Sequence, residues 1–231
     1  MFCQNRKTIQ IFLLTLAALF SVSTVVAEEN VMSHDGLKPV ADARVAKAYI
    51  HPDADFSVYQ RVAILDPLVA FRANWQRDQN RSRTSGRVRA RDMERIKEDV
   101  AALFKEVFAE RLSANDGYEV VDVTGEDVLI IRPAIIDLDI TAPDVNTAGR
   151  QRTFTATTGA ATLFMELFDS MSSQIIGRAA DRRSARQAGG MITWSNSVTN
   201  RAEARRMFGR WADKLREFLD EHYKPGEALE Q

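Results

Sequence analysis

The most apolar stretch outside the N-terminus is residues 127–141, DVLIIRPAIIDLDIT. It is short, rich in β-branched residues and preceded by Gly125, which predicts a strand rather than a membrane span. Its second half alternates: Ala134, Ile136, Leu138 and Ile140 fall on one side, Ile135, Asp137, Asp139 and Thr141 on the other. One face is therefore expected dry and the other wetter. Pro133 removes a ladder donor and predicts a bulge or an edge position. Further strands are expected over 58–65, closed by Asp66-Pro67, and over 118–123. Residues 154–168 and a return strand from Ile175 to about Arg182, joined by the polar turn 169–174, read as a β-hairpin.

Two segments repeat at helical spacing instead. Over 92–113, Met93, Ile96, Val100, Leu103, Phe104, Val107, Phe108 and Leu112 form one stripe, with Asp92 placed to cap it and Asn115-Asp116-Gly117 to stop it. The last helix is expected to open on a capping box, Asn200 to Glu203. It carries Ala204, Met207, Phe208, Trp211, Leu215, Phe218 and Leu219, and ends near Tyr223, before Pro225-Gly226. A strand, a helix and a strand, then antiparallel strands and a helix, predict an α+β fold. Its sheet is mixed and mainly antiparallel, with two amphipathic helices on one face.

The N-terminus has the form of an export signal over residues 1–27. Arg6 and Lys7 are its positive region, Ile9 to Phe20 its apolar centre, and Val25-Val26-Ala27 a small-residue cleavage site. The uncharged run 8–27 is also just long enough for a retained anchor. Residues 28–47 read as a flexible leader, 48–224 as a single α+β domain and 225–231 as a tail. Cys3, the one cysteine, lies ahead of the apolar centre, so cleavage leaves no disulfide, thiolate or lipidation site. A soluble periplasmic protein without a stable membrane span follows. The net charge of −1 argues against nucleic acid as a partner.

The richest candidate site is the basic segment 71–91, with Arg77, Arg81, Arg83, Arg87 and Arg89 against the single acid Asp78. It reads as a solvated loop or as a phosphate contact, with Trp75 and Phe71 as an apolar anchor. Arg182 and Arg183 open a second basic loop, and Trp194 follows it, either as a ligand contact or as core. Asp137 and Asp139 share a strand face and offer the best acid/base or divalent-ion pair, although a wet strand face explains them as well. Arg132, among apolar neighbours, is expected to be partly buried and paired with an aspartate. His34, His51 and His222 lack metal-ligand spacing, and no nucleophile elbow, Walker loop or GxGxxG occurs. No cofactor or metal is expected.

The blocks DADFSVYQRVAILDP, NWQRDQN, DMERIKED, GYEVV, DVLIIRPAIIDLDITAPD and TNRAEARRMFGRWA resemble, in order, a bacterial cell-envelope family catalogued as domain of unknown function 3313. The resemblance spans residues 37–222. It implies an exported protein, often a lipoprotein, although this chain lacks the lipidation cysteine. It transfers no catalytic residues, because the family has no established activity.

These readings favour a non-catalytic periplasmic interaction module that meets another envelope protein through its basic loops or a sheet edge. A binder of anionic lipid or phosphorylated glycan is the alternative, and an acid-type hydrolase built on Asp137 and Asp139 is third. One feature separates the first two. A deep apolar pocket between sheet and helices, rimmed by residues 72–91 and 182–186, belongs to the ligand binder; a flat surface belongs to the module.

Overall fold

The computed structural model of the chain describes residues 35–41, 43–81, 86–140, 154–155, 159–184, 193–194 and 197–222. Its elements in chain order are β1 Lys38–Pro39, β2 Lys47–Ile50, a 3-10 turn Phe56–Val58, β3 Arg61–Ile64, β4 Leu68–Phe71, α1 Trp75–Arg81 and α2 Ala90–Ser113. They are followed by β5 Glu119–Val120, β6 Val128–Asp139, β7 Phe154–Thr155, β8 Ala160–Asp169, β9 Ile175–Ser184, β10 Thr193–Trp194 and α3 Ser197–His222. The signal region 1–27 lies outside the described residues.

The main sheet runs β1-β2-β9-β8-β6-β3-β5, with β4 also paired to β6. Strands β2, β9, β8 and β6 are antiparallel neighbours, whereas β3, β4 and β5 join in parallel. The fold is α+β with a mixed, mainly antiparallel sheet. The expected crossover from β3 through helix to β5 is present, with α1 as an unforeseen addition. Its text, WQRDQNR, has no apolar stripe. It is held instead by Trp75, whose indole N–H donates to the Ile140 carbonyl at 2.7 Å, and by Arg72, which reaches Asp78 at 2.8 Å.

Strands β3 and β4 follow one another along the same side of β6, broken at Leu65-Asp66-Pro67. The break lies beside Pro133: Leu65 N donates to Ile131 O at 3.0 Å, and pairing resumes at Leu68 opposite Ala134. Two residues without an N–H thus meet at one level of the sheet, and Pro133 lies inside it rather than at its edge. The bulge comes later. Asp137 adopts a φ of 51°, and the register against β8 shifts between Ile136 and Asp139. The facing expected for β6 is therefore reversed ahead of the bulge. Ile131 and Ile135 point into the core, as Leu138 does beyond it, while Ala134 and Ile136 lie on the opposite side, half-buried.

The sheet also starts earlier than expected. Residues 38–39 and 47, assigned to a flexible leader, are strands, with Lys47 paired to Ala180 of β9. Helix α2 begins at Ala90, two residues before the expected cap. Asp92 acts from within the first turn, its carboxylate accepting the Arg89 N–H at 2.9 Å. Helix α3 begins at Ser197, so the Asn200–Glu203 pattern lies inside it. Strand β9 runs on to Ser184.

The two stripes carry the packing. Phe104, Phe108 and Leu112 of α2 and Phe208, Trp211 and Leu219 of α3 are essentially inaccessible, and they form one cluster with Val62, Leu129, Ile131 and Ile135 of the sheet. Phe104 stacks on Phe108 at 3.9 Å and meets Phe208 edge-on at 5.4 Å. Each such burial is worth about 1.5–3 kcal/mol. A smaller cluster of Trp75, Val88 and Ile96 seats α1.

Candidate functional site

On its helix side, β8 presents Leu163, Met165 and Leu167, whereas β9 beside it and β2 beyond present small residues at Gly177, Ala179 and Ala48. Ala179 of β9 pairs with Met165 on one side and Ala48 of β2 on the other. Leu167 leans over Gly177, where a Cβ would stand 3.2 Å from Leu167 Cδ1. Helix α3 crosses this strip with Trp211, Leu215 and Phe218. Large side chains on the helix opposite small ones on the strands leave a hollow of about 300 Å³ with mostly apolar walls. Interiors otherwise pack without voids of this size.

The connection from β1 to β2 closes one side of the hollow with Val40, Ala41, Ala43 and Val45. It is tied down across its length. Arg44 pairs with Glu217 at 2.6 Å and with Glu221, and its carbonyl accepts from Lys214. At its end, Ala46 N donates to Asp181 Oδ1 at 3.2 Å. Asp181 is the buried charge of the site, only 8% exposed. Its Oδ2 accepts from Arg183 Nε at 2.9 Å and Trp211 Nε1 at 3.0 Å, with Lys214 Nζ at 3.5 Å. Burial pushes the Asp181 carboxyl up, but the Trp211 indole, Lys214 and Arg183 outweigh it and hold it below the ordinary carboxylate range. Asp181 is thus a fixed anion that anchors the strap, α3 and β9 to one another.

The basic residues singled out in the sequence lie elsewhere. Trp75 is buried and stacked on Phe71 at 4.0 Å, so its indole belongs to packing. Arg77 lines a shallow depression of about 440 Å³ beside it. Arg81, Arg87 and Arg89 are exposed around α1 and the start of α2. Arg83 lies outside the described residues, as does the side chain of Trp194, whose backbone pairs β10 with β7. Arg182 and Arg183, expected in a loop, are consecutive residues of β9 and point to opposite sides. Arg182 faces Thr162 and Asp137, and Arg183 faces Asp181. Among the described residues, none of these basic side chains lines the hollow.

The bulge also separates the two candidate acids: Asp139 pairs with Arg72 of the β4 side at 2.9 Å, Asp137 with Arg182 of β9 at 3.8 Å. Among the described residues, no group of three or more His, Cys, Asp or Glu is placed to hold a metal ion. Arg132 is exposed rather than partly buried and pairs with a glutamate. Glu166 of β8 sits between it and Arg178, and the guanidinium lies 4.6 Å from the Phe168 ring. Of that network, Arg178 alone lines the hollow. The helix wall of the hollow is part of the stripe expected for the last helix, whereas its small strand residues carry no sequence expectation. Their signal is the run IIGRAAD, in which the helix-facing positions 177 and 179 are Gly and Ala inside an otherwise bulky sheet.

The family described as "Protein of unknown function (DUF3313)" matches residues 27–215, and the chain belongs to it. No curated protein matches. Among solved structures, the chain is similar to the PelC dodecamer from Paraburkholderia phytofirmans, at 10% identity and a TM-score of 0.34, over 68% of this chain and 89% of that one. It is similar to the hypothetical protein CT253 from Chlamydia trachomatis at 11% identity and 0.37, over 69% and 98%. It is also similar to a neuraminyllactose-binding hemagglutinin homolog from Helicobacter pylori at 8% and 0.31, over 71% and 93%.

Proposed function

We propose that this protein is a non-catalytic, exported binding protein of the cell envelope, and that its ligand is apolar and sits in the hollow between β9 and α3. The observation that carries this reading is the matched set of small residues, Ala48 and Ala179 below and Ala41 and Ala43 above, facing Trp211, Leu215 and Phe218. Space lined in this way is costly to leave unfilled, because its walls forgo dispersion contacts. A volume of about 300 Å³ lies at the small end of ligand pockets and suits a single chain rather than a whole lipid. The dispersal of Asp137 and Asp139 onto separate arginines counts against the hydrolase reading. Export is supported by the charged, apolar and small-residue succession of residues 1–27.

Native mass spectrometry of the protein recovered from the periplasm tests both parts. The expected mass starts at Glu28, with a second species heavier by one bound apolar molecule. A protein found only in the cytoplasm overturns the export reading, and a single unliganded species that takes up no added hydrophobe overturns the binding reading.

A further inference from the structure

The hollow is apolar along its walls, yet one ammonium reaches it, and the balance of charge around that group defines the ligand. The acids that line the hollow are already committed. Asp181 holds Arg183 and the Trp211 indole, and Glu221 holds Arg44. A cationic ligand therefore finds no carboxylate without breaking an existing pair. Lys214 stands differently. Its side chain is one-fifth exposed, and its Nζ contacts the Arg44 carbonyl and, at the longest distance of any Asp181 partner, Asp181 Oδ2 at 3.5 Å. Two of its three donors are thereby engaged. Asp181 keeps three shorter donors from Arg183, Trp211 and Ala46 if Lys214 turns away. The ammonium can thus be redirected without stranding its buried partner.

Resting on the reading of the hollow as a binding site, we propose that it takes a single-chain amphiphile with an anionic head. The chain lies along Ala179 and Met165 beneath Leu215 and Phe218, and Lys214 receives the carboxylate or phosphate as a charge-assisted donor. Lys214 is then the residue that separates an anionic amphiphile from a neutral one of the same length. Arg44 has a supporting part, because its carbonyl positions the ammonium while its guanidinium pins the strap to α3.

The test is displacement of the fluorescent hydrophobe N-phenyl-1-naphthylamine from the purified full chain by dodecanoate, dodecyl phosphate and dodecanol, each below its micelle concentration. The wild-type protein should prefer at least one of the two anions over dodecanol by about tenfold, the scale of one charge-assisted hydrogen bond. Whichever anion is stronger identifies a fatty acid or a phosphate head. Lys214→Met should bring all three within about twofold while keeping dodecanol binding, which also shows that it has folded; Lys214→Arg should keep the preference. Equal displacement by anions and dodecanol in the wild type, or a preference that survives in Lys214→Met, overturns the role of Lys214 and leaves the hollow standing. Failure of the wild type to bind the fluorophore and all three chains overturns the hollow itself.

Discussion

Asp181 carries its charge in the interior because donors from three elements converge on it: Arg183 of β9, Trp211 and Lys214 of α3, and the backbone of Ala46 ahead of β2. The native state therefore favours the ionised form more than the unfolded chain does, and the folded pKa lies below the unfolded one. The resulting stabilisation is complete above the unfolded value, about 3.9, and disappears as the pH falls through the folded value. Asp181→Asn should be less stable than the wild type near neutral pH, and the gap should close as the pH is lowered below about 4. Urea denaturation across that range measures it. A gap that stays constant with pH would show that the carboxylate is not held by these partners. Asp169, Asp127 and Asp78 are also held low, but they contribute equally to both proteins and drop out of the difference.

The two helices depend on each other at their ends as well as along their stripes. Arg216 of α3 donates to the Leu112 and Ala114 carbonyls at 2.8 and 2.9 Å, and so satisfies the terminal acceptors of α2 from across the interface. Gly117 makes room for it; a Cβ there would stand 1.9 Å from Arg216 Nη1 and 2.2 Å from Leu112 O. Arg216→Ala should lower stability by about 1–3 kcal/mol, with the denaturant midpoint shifted and the slope unchanged. An unmoved midpoint would show that water caps α2 equally well. The stripes of α2 and α3 were legible because eight and seven apolar positions at one period leave little ambiguity. Helix α1 was not, because its one apolar residue, Trp75, is fixed by a carbonyl 65 residues away in sequence. The facing of β6 was misread for a related reason. Its bulge is carried by Asp137 at positive φ, with no glycine in the text to announce it.

At the scale of the molecule, two helices cover one side of a mixed sheet and leave a hollow where small strand residues meet large helix residues. Composition points toward charge, with seven arginines from Arg72 to Arg91. A hollow is a missing volume, and the small residues of IIGRAAD acquire that meaning only once the sheet places Ala179 beside Ala48 and α3 is laid across them. For the same reason Lys214, one basic residue among many on α3, has no sequence mark of its own. The family and the fold class were readable from the chain; the site was not.

The central claim is that this hollow is kept open for a ligand, and Ala179→Leu tests it most directly. The added side chain fills apolar space from a strand position and leaves every charged residue of the site in place. Thermal unfolding and N-phenyl-1-naphthylamine binding, measured together on this variant, should show a melting temperature equal to or above that of the unliganded wild type and loss of the bound fluorophore. A variant that melts well below the wild type, or one that binds the fluorophore as before, would contradict the account.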